Sequence, residues 1–336
     1  MVKTVFVRIA VVCLMIAGIA PRVFAADTVT LSLSGNSESF NLVAGNASNS
    51  GSSNITATTT WSLLPPCTAS VYAYFASAST ALTDGAGHNI PSSAFDISDN
   101  GGASAALTNT IVFGGANAGL QLENLNVGPA NKNSSVTDAM TFNINLSGLP
   151  QLPAGTYTGS LFMQSQGACN GNNNITNSGA QTIAVTATLP ESLTISLSSH
   201  AVTFSLKAGS ATNAGSTGIT ASTAWVMKPS RTAVGLYAYF SSAPAALTDG
   251  FGDNIPSSAF FISNNGGAST ALTTTVAFGA ASAGLRLANV AITSANENSS
   301  RTDAMAFNIN LSGGTLPQLP AGTYTGTLNI QAQATP

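Results

Sequence analysis

The sequence predicts an all-β protein built as two tandem β-sandwiches, and three observations carry that expectation. Apolar residues alternate with Ser, Thr and Asn at period two, the spacing that turns one strand face to a core and the other to water. The stretch Leu149-Pro150-Gln151-Leu152-Pro153-Ala154-Gly155-Thr156-Tyr157-Thr158-Gly159 returns unchanged at 316–326, so one module is written twice. Charged residues make up only 6% of the 336 residues, against about 25% in an ordinary soluble domain. The surface is therefore left to Ser, Thr, Asn, Gly and Ala.

At the N-terminus, Lys3 and Arg8 lead into an apolar run from Ile9 to Ala20, and Val23-Phe24-Ala25 offers the small residues a signal peptidase needs. Residues 1–25 read as a secretory signal peptide cleaved before Ala26. The run is short for a bilayer and no other long apolar segment follows, so no membrane span is expected in the mature chain. Cys13 lies inside the run rather than at its end, which argues against a lipoprotein signal. Cleavage removes Lys3, Arg8 and Arg22 and no acid, leaving six basic and twelve acidic residues and a formal charge of −6. With no basic patch to neutralise phosphates, nucleic acid is excluded as a partner. The expected location is secreted, extracellular or at the cell surface, with the periplasm as the alternative.

The repeat runs almost end to end. Thr30-Leu31-Ser32-Leu33-Ser34 answers Thr194-Ile195-Ser196-Leu197-Ser198, Trp61 answers Trp225, and Tyr72-Ala73-Tyr74-Phe75 answers Tyr237-Ala238-Tyr239-Phe240. Between Leu82–Phe95 and Leu247–Phe260, 12 of 14 positions are the same, as a recent duplication would leave them. Each copy reads as short strands: Val29, Leu31 and Leu33 alternate with Thr and Ser, and Met140, Phe142, Ile144 and Leu146 alternate with Thr141, Asn143 and Asn145. Turns such as Thr83-Asp84-Gly85 and Asp99-Asn100-Gly101-Gly102 separate them. The expected domains are repeat 1 at 26–190 and repeat 2 at 191–336, divided near Leu189-Pro190-Glu191-Ser192.

Repeat 1 continues past its copy of the duplicated stretch through a Gly/Asn-rich loop, Gly167 to Asn174, into Thr182-Ile183-Ala184-Val185-Thr186-Ala187-Thr188. Two alignments remain open. The Thr182 segment is an extra strand of repeat 1, or it is the true partner of Leu328 to Ala332 and the loop is an inserted hairpin.

The duplicated stretch itself is a turn feeding a strand. Its prolines forbid helix and ladder bonding, Ala-Gly frees the backbone to turn, and Tyr157, Gly159, Leu161 and Met163 then alternate with hydroxylated neighbours. A Tyr just after a Gly at a strand entrance suggests the tyrosine corner of immunoglobulin-like sandwiches, in which the phenol bonds back to upstream backbone; the other reading is a Tyr that caps the core end-on. At Leu319-Pro320-Ala321-Gly322-Thr323-Tyr324-Thr325-Gly326-Thr327-Leu328 the chain resembles the closing strand of secreted bacterial β-sandwiches of the fimbrial and spore-coat-U-like type. That resemblance implies two tandem immunoglobulin-like β-sandwich domains after the signal peptide, export, and surface assembly or adhesion. The tandem layout, with no N-terminal donor extension in view, differs from that of a single pilin.

Candidate site residues are few. Cys67 and Cys169 are both in repeat 1 and both lack counterparts, the pattern of one disulfide in an exported protein. His88 is matched by Asp253 and His200 by Asn36, and no Ser/His/Asp set, His pair at metal spacing or phosphate loop is visible. No catalytic residues, cofactor or enzyme activity are expected. Asp249 and Asp253, in Asp249-Gly250-Phe251-Gly252-Asp253-Asn254, form a weak calcium candidate, with an Asp-Gly turn as the better reading. Tyr72 and Tyr74, with Tyr237 and Tyr239, share the strand face opposite Val71, Ala73 and Phe75; exposed, they would make aromatic ledges for a polysaccharide or a protein, while the favoured reading is that both faces are covered and the rings pack beneath a loop. The leading expectation is a non-catalytic structural or adhesive surface protein assembling with itself or other surface proteins through open strand edges. The alternative is a pair of carbohydrate-binding modules.

Overall fold

The computed structural model describes residues 26–108, 118–149, 152–171, 174–273, 284–313, 316 and 319–336. The signal peptide expected at 1–25 lies outside the described residues. Within them the chain is all-β, interrupted only by single-turn 3-10 helices at Ser92–Ala94 and Ser257–Ala259. Among the described residues no helix is long and apolar enough to cross a membrane.

In the first half the longer strands are β1 (Thr28–Leu33), β2 (Ser37–Asn41), β3 (Ile55–Ser62), β4 (Cys67–Phe75), β5 (Phe95–Asp99), β6 (Ala118–Val127), β7 (Asn133–Ile144), β8 (Gly155–Cys169), β9 (Asn174–Asn177) and β10 (Gln181–Leu189). One sheet runs β1-β3-β7-β5 and the other β6-β4-β8-β10-β2, with β9 also on β8. Every pairing is antiparallel except β10 with β2, which is parallel. The second half holds β11 (Ser192–Leu197), β12 (Ile219–Val226), β13 (Ala233–Phe240), β14 (Phe260–Asn264), β15 (Leu285–Ala291), β16 (Asn298–Ile309) and β17 (Leu328–Thr335). Its sheets run β11-β12-β16-β14 and β15-β13-β17.

Period-two alternation decides what each strand buries. In β10, Ile183, Val185, Ala187 and Leu189 are buried while Thr182, Ala184, Thr186 and Thr188 face water. Each core has its own aromatic nucleus of the same design. Phe95 meets Phe40, Phe75 and Phe142 with ring centroids 5.2–5.9 Å apart, and Phe260 meets Phe204, Phe240 and Phe307 at 5.1–6.0 Å. Both indole nitrogens donate to a backbone carbonyl 70 or 71 residues on, Trp61 to Asn131 at 3.0 Å and Trp225 to Asn296 at 2.8 Å.

Register resolves the open alignment. Leu161 of β8 lies opposite Phe75, and Leu328 of β17 lies opposite Phe240. Strand β17 is therefore the counterpart of β8, and β10 is additional, with no counterpart among the described residues. The tyrosine corner is present in both halves: Tyr157 Oη donates to the Pro153 carbonyl at 2.8 Å and Tyr324 Oη to the Pro320 carbonyl at 3.0 Å. The Gly of Thr-Tyr-Thr-Gly has a packing reason too. A Cβ at Gly159 would run into the Ala81 carbonyl, and one at Gly326 into the Ala246 carbonyl.

The halves touch through the first copy of the duplicated turn. Ala154 N donates to the Met227 carbonyl at 2.9 Å, Asn298 Nδ2 donates to the Leu152 carbonyl at 3.2 Å, and Val226 packs with the first core. Beside this junction His88 Nδ1 lies 2.7 Å from Asp84 Oδ2, and its Nε2 lies 3.5 Å from Glu297 Oε2.

Candidate functional site

The asymmetry between the halves creates the most distinctive surface of the molecule. In the first half β8 has a neighbour on each edge, β4 on one side and β10 on the other. The β8–β10 ladder runs from Gly155 opposite Leu189 to Met163 opposite Gln181. The far side of β10 is closed in turn by β2, with Leu42 N donating to the Thr188 carbonyl and Ala184 N to the Asn36 carbonyl, both at 2.8 Å. In the second half β17 pairs with β13 on one edge only. Among the described residues no strand lies along its other edge; the bridge of Thr325 to Thr248 just before β17 matches that of Thr158 to Thr83 and lies on the β13 side, away from the edge that β10 takes in the first half. The segment equivalent to β2 forms no ladder, and Phe204 keeps one bridge to Gly215.

Between β17 and residues 201–206 runs an open strand lane. One stretch has a volume of about 420 Å³ and is walled by Val202, Phe204, Leu328 and Ile330 over a floor of Phe240 and Phe307. A second, also about 420 Å³, continues past Tyr324 to Leu206 and Ile309. Exposure records the difference between the halves: Leu42 is 1% exposed and Leu206 36%. Tyr157, Leu161 and Met163 are fully buried, whereas Tyr324, Leu328 and Ile330 are only half-buried. The backbone N–H and C=O groups along such an edge are a template for another strand.

The tyrosine ledge is corrected. Tyr72 and Tyr74 are each 9% exposed and Tyr237 7%, while Tyr239 is half-buried. The reason is that β4 and β13 are central strands, so long side chains on neighbouring strands close over the rings. Gln121 Nε2 donates to Tyr72 Oη at 3.3 Å, Tyr74 Oη donates to Gln164 Oε1 at 3.4 Å, and Tyr74 stacks on Phe162 at 5.5 Å. Burial accordingly raises the Tyr74 phenol above its ordinary value. Tyr239 Oη donates to Gln331 Oε1 at 3.3 Å, and the Tyr237 ring lies over Gly235.

The loop holding Asp249 and Asp253 turns its first carboxylate inward on its own backbone. Asp249 Oδ1 accepts from Phe251 N at 2.8 Å and Asp253 N at 3.1 Å, as Asp84 Oδ1 accepts from Ala86 N and His88 N. This is an Asx turn, the fate of an Asp followed by Gly. Cys67 and Cys169 face each other as ladder partners on β4 and β8 and are joined, S–S 2.00 Å. They pack with Val29, Trp61 and Leu63.

A carboxylate cluster escaped the sequence reading. Asp99 on β5, Glu123 on β6 and Asp138 on β7 bring their oxygens within 4.8 Å of one another. Asp138 is fully buried, and its carboxyl is pushed up to about 7 by burial first and then by Asp99 and Glu123. Its counterpart Asp303 behaves in the opposite sense. Burial alone would raise it, but Arg301, Asn264 and Asn265 outweigh burial and hold it below the usual carboxylate range.

Two immunoglobulin-like sandwiches in series, the first closed by its own last strand and the second carrying an open strand lane, define the class of protein. No protein-family model matches the chain, and no curated protein does. Solved structures similar to it include a chain of the CsuC–CsuE chaperone–tip adhesion subunit complex from archaic chaperone-usher pili of Acinetobacter baumannii (11% identity, TM-score 0.39, 92% of this chain and 100% of that one). The CupB6 tip adhesin of Pseudomonas aeruginosa is similar at 8% identity and TM-score 0.32, over 91% of this chain and 94% of that one. The CooA pilin subunit of enterotoxigenic Escherichia coli covers 48% of this chain with 98% of its own, at 15% identity and TM-score 0.30.

Proposed function

We propose that the protein is a non-catalytic structural or adhesive subunit of a bacterial surface assembly, and that its second sandwich is completed by a β-strand from a partner chain. The observation that carries this reading is the lane along β17. Strand β10 fills the same lane in the first half, so the molecule contains its own template for the occupant. The incoming strand runs antiparallel to β17 and parallel to residues 201–206. It places alternate side chains opposite Gly322, Tyr324, Gly326 and Leu328, as Leu189, Ala187, Val185 and Ile183 stand opposite Gly155, Tyr157, Gly159 and Leu161. A small residue is required opposite Tyr324 and branched aliphatics opposite Gly326 and Leu328. Each fully buried aliphatic contributes about 1.5–3 kcal/mol, to which a ladder of backbone bonds is added.

The test is titration of the purified chain with a synthetic peptide of the β10 sequence, Gln181 to Leu189, read by calorimetry and thermal melting. One peptide per chain and a rise in melting temperature are expected. Peptides carrying Val185→Lys or Ala187→Phe should fail to bind, and so should the parent peptide against a Leu328→Asp chain. Absence of binding by the parent peptide, or equal binding of all three peptides, would sink the proposal.

A further inference from the structure

We propose that the Asp99–Glu123–Asp138 cluster of the first half is a calcium site that ties its two sheets together. Asp138, a member of the cluster, is fully buried, and its Oδ2 has no hydrogen-bond partner. Asp138 Oδ1 accepts only a long 3.4 Å bond from Asn100 Nδ2. Asp99 Oδ1 is likewise buried and unpartnered, and its Oδ2 accepts from Asn100 Nδ2 at 3.3 Å. Three carboxylates crowded to this extent and half withdrawn from water repel one another, and one proton relieves only part of that repulsion.

The second half shows what the position asks for. Its buried carboxylate, Asp303, is met by a cation: Arg301 Nε lies 2.9 Å from both carboxylate oxygens and Nη2 2.8 Å from Oδ1. Asn264 and Asn265 donate to Asp303 Oδ1 at 2.8 and 3.1 Å. In the first half the residue equivalent to Arg301 is Val136, Asn264 becomes Asp99, and Ala288 becomes Glu123. The internal cation is lost and two acids are gained at one place. A hard divalent ion among three carboxylates restores the charge balance that Arg301 supplies in the sister half, with water completing the shell on the side left open by half-buried Asp99 and Glu123. Glu123 reaches the cluster from the other sheet just after a register shift between Gln121 and Glu123. A bound ion therefore links β6 of one sheet to β5 and β7 of the other. Calcium fits better than magnesium because the donors are all side-chain oxygens on separate strands and set no rigid octahedron.

This inference does not depend on the strand lane. Its test is equilibrium dialysis of the metal-stripped whole chain against calcium, with element analysis of the bound ion, and a parallel thermal melt. The expected result is one calcium ion per chain with a dissociation constant of about 10⁻⁴–10⁻³ M, as in extracellular modules. A melting shift of about 3–6 °C is expected at ten times that concentration, with a smaller response to magnesium. The triple variant Asp99→Asn, Glu123→Ala, Val136→Arg grafts the arrangement of the second half; it should stay folded by tryptophan fluorescence and lose both responses. Should the triple variant fail to fold, Glu123→Ala alone must weaken binding at least ten-fold. No stoichiometric calcium at about 5 mM, a cluster relieved by protons alone, or binding that survives these substitutions would overturn the proposal.

Discussion

At the scale of single residues, the duplicated motif is explained by contacts rather than by secondary structure alone. Gly159 is required because the Ala81 carbonyl occupies the space a side chain would take. Backbone cannot retreat there without disturbing Leu82, which is 1% exposed. Gly159→Ala should therefore destabilise the first half by about 2–4 kcal/mol, measured by denaturant unfolding, whereas Gly148→Ala, with open space around its Cα, should cost little. Arg301 offers a sharper test because its loss changes the sign of a pH dependence. In the native protein the Asp303 carboxyl is held below its ordinary value, so its contribution is present above about pH 4 and is lost as pH falls through the lowered value. In Arg301→Met burial acts on Asp303 with less opposition and raises the carboxyl, so stability of the second half should instead fall as pH rises from about 4 towards 7. The variant should also lose about 2–3 kcal/mol at neutral pH, since a buried carboxylate has lost its main cation. Thermal melts across this pH range distinguish the two slopes, and parallel slopes would refute the assignment.

At the scale of elements, legibility followed sequence distance. Strand β10 was readable because Ile183, Val185, Ala187 and Leu189 alternate within one short segment, and the Tyr157 and Tyr324 corners because donor and acceptor lie four residues apart. The absence of a strand beside β17 was foreshadowed by the asymmetry between the two copies, but which alignment holds depended on register, which only pairing with β4 and β13 reveals. Which of the two readings of the tyrosines holds was not decidable locally, because the residues that cover them, Gln121, Phe162 and Gln164, lie 49 and more positions away on neighbouring strands. The acid cluster was invisible for the same reason: Asp99, Glu123 and Asp138 stand on three strands of two sheets. Their substitution pattern against the second half was nonetheless on view in the sequence. Val136 at the position that Arg301 takes in the second copy was the available signal, and it gains meaning only once Asp138 is known to be buried.

At the scale of the whole molecule, one duplicated design is held at two levels of completion. The first half has its final strand in place, a filled core, and a disulfide spanning 102 residues, a cross-link worth up to about 4–5 kcal/mol in the chain-entropy model. The second half has no cysteine and, among its described residues, no such strand, and Leu206, Leu328 and Ile330 contribute less burial than their counterparts. The two halves meet through one backbone bond, Ala154 N to the Met227 carbonyl, with the Asn298–Leu152 bond, the Val226 side chain and the His88–Glu297 approach beside it, too limited a contact to force a single cooperative transition. Calorimetry should therefore resolve two transitions, with the second half melting first. Reduction of the disulfide should lower the upper transition and leave the lower one in place, while the β10 peptide should raise the lower one and leave the upper. A single transition that shifts as a unit under both treatments would mean that the junction couples the halves tightly. In that case a strand seated along β17 would also stabilise the first half, and binding at one end of the molecule would be felt at the other.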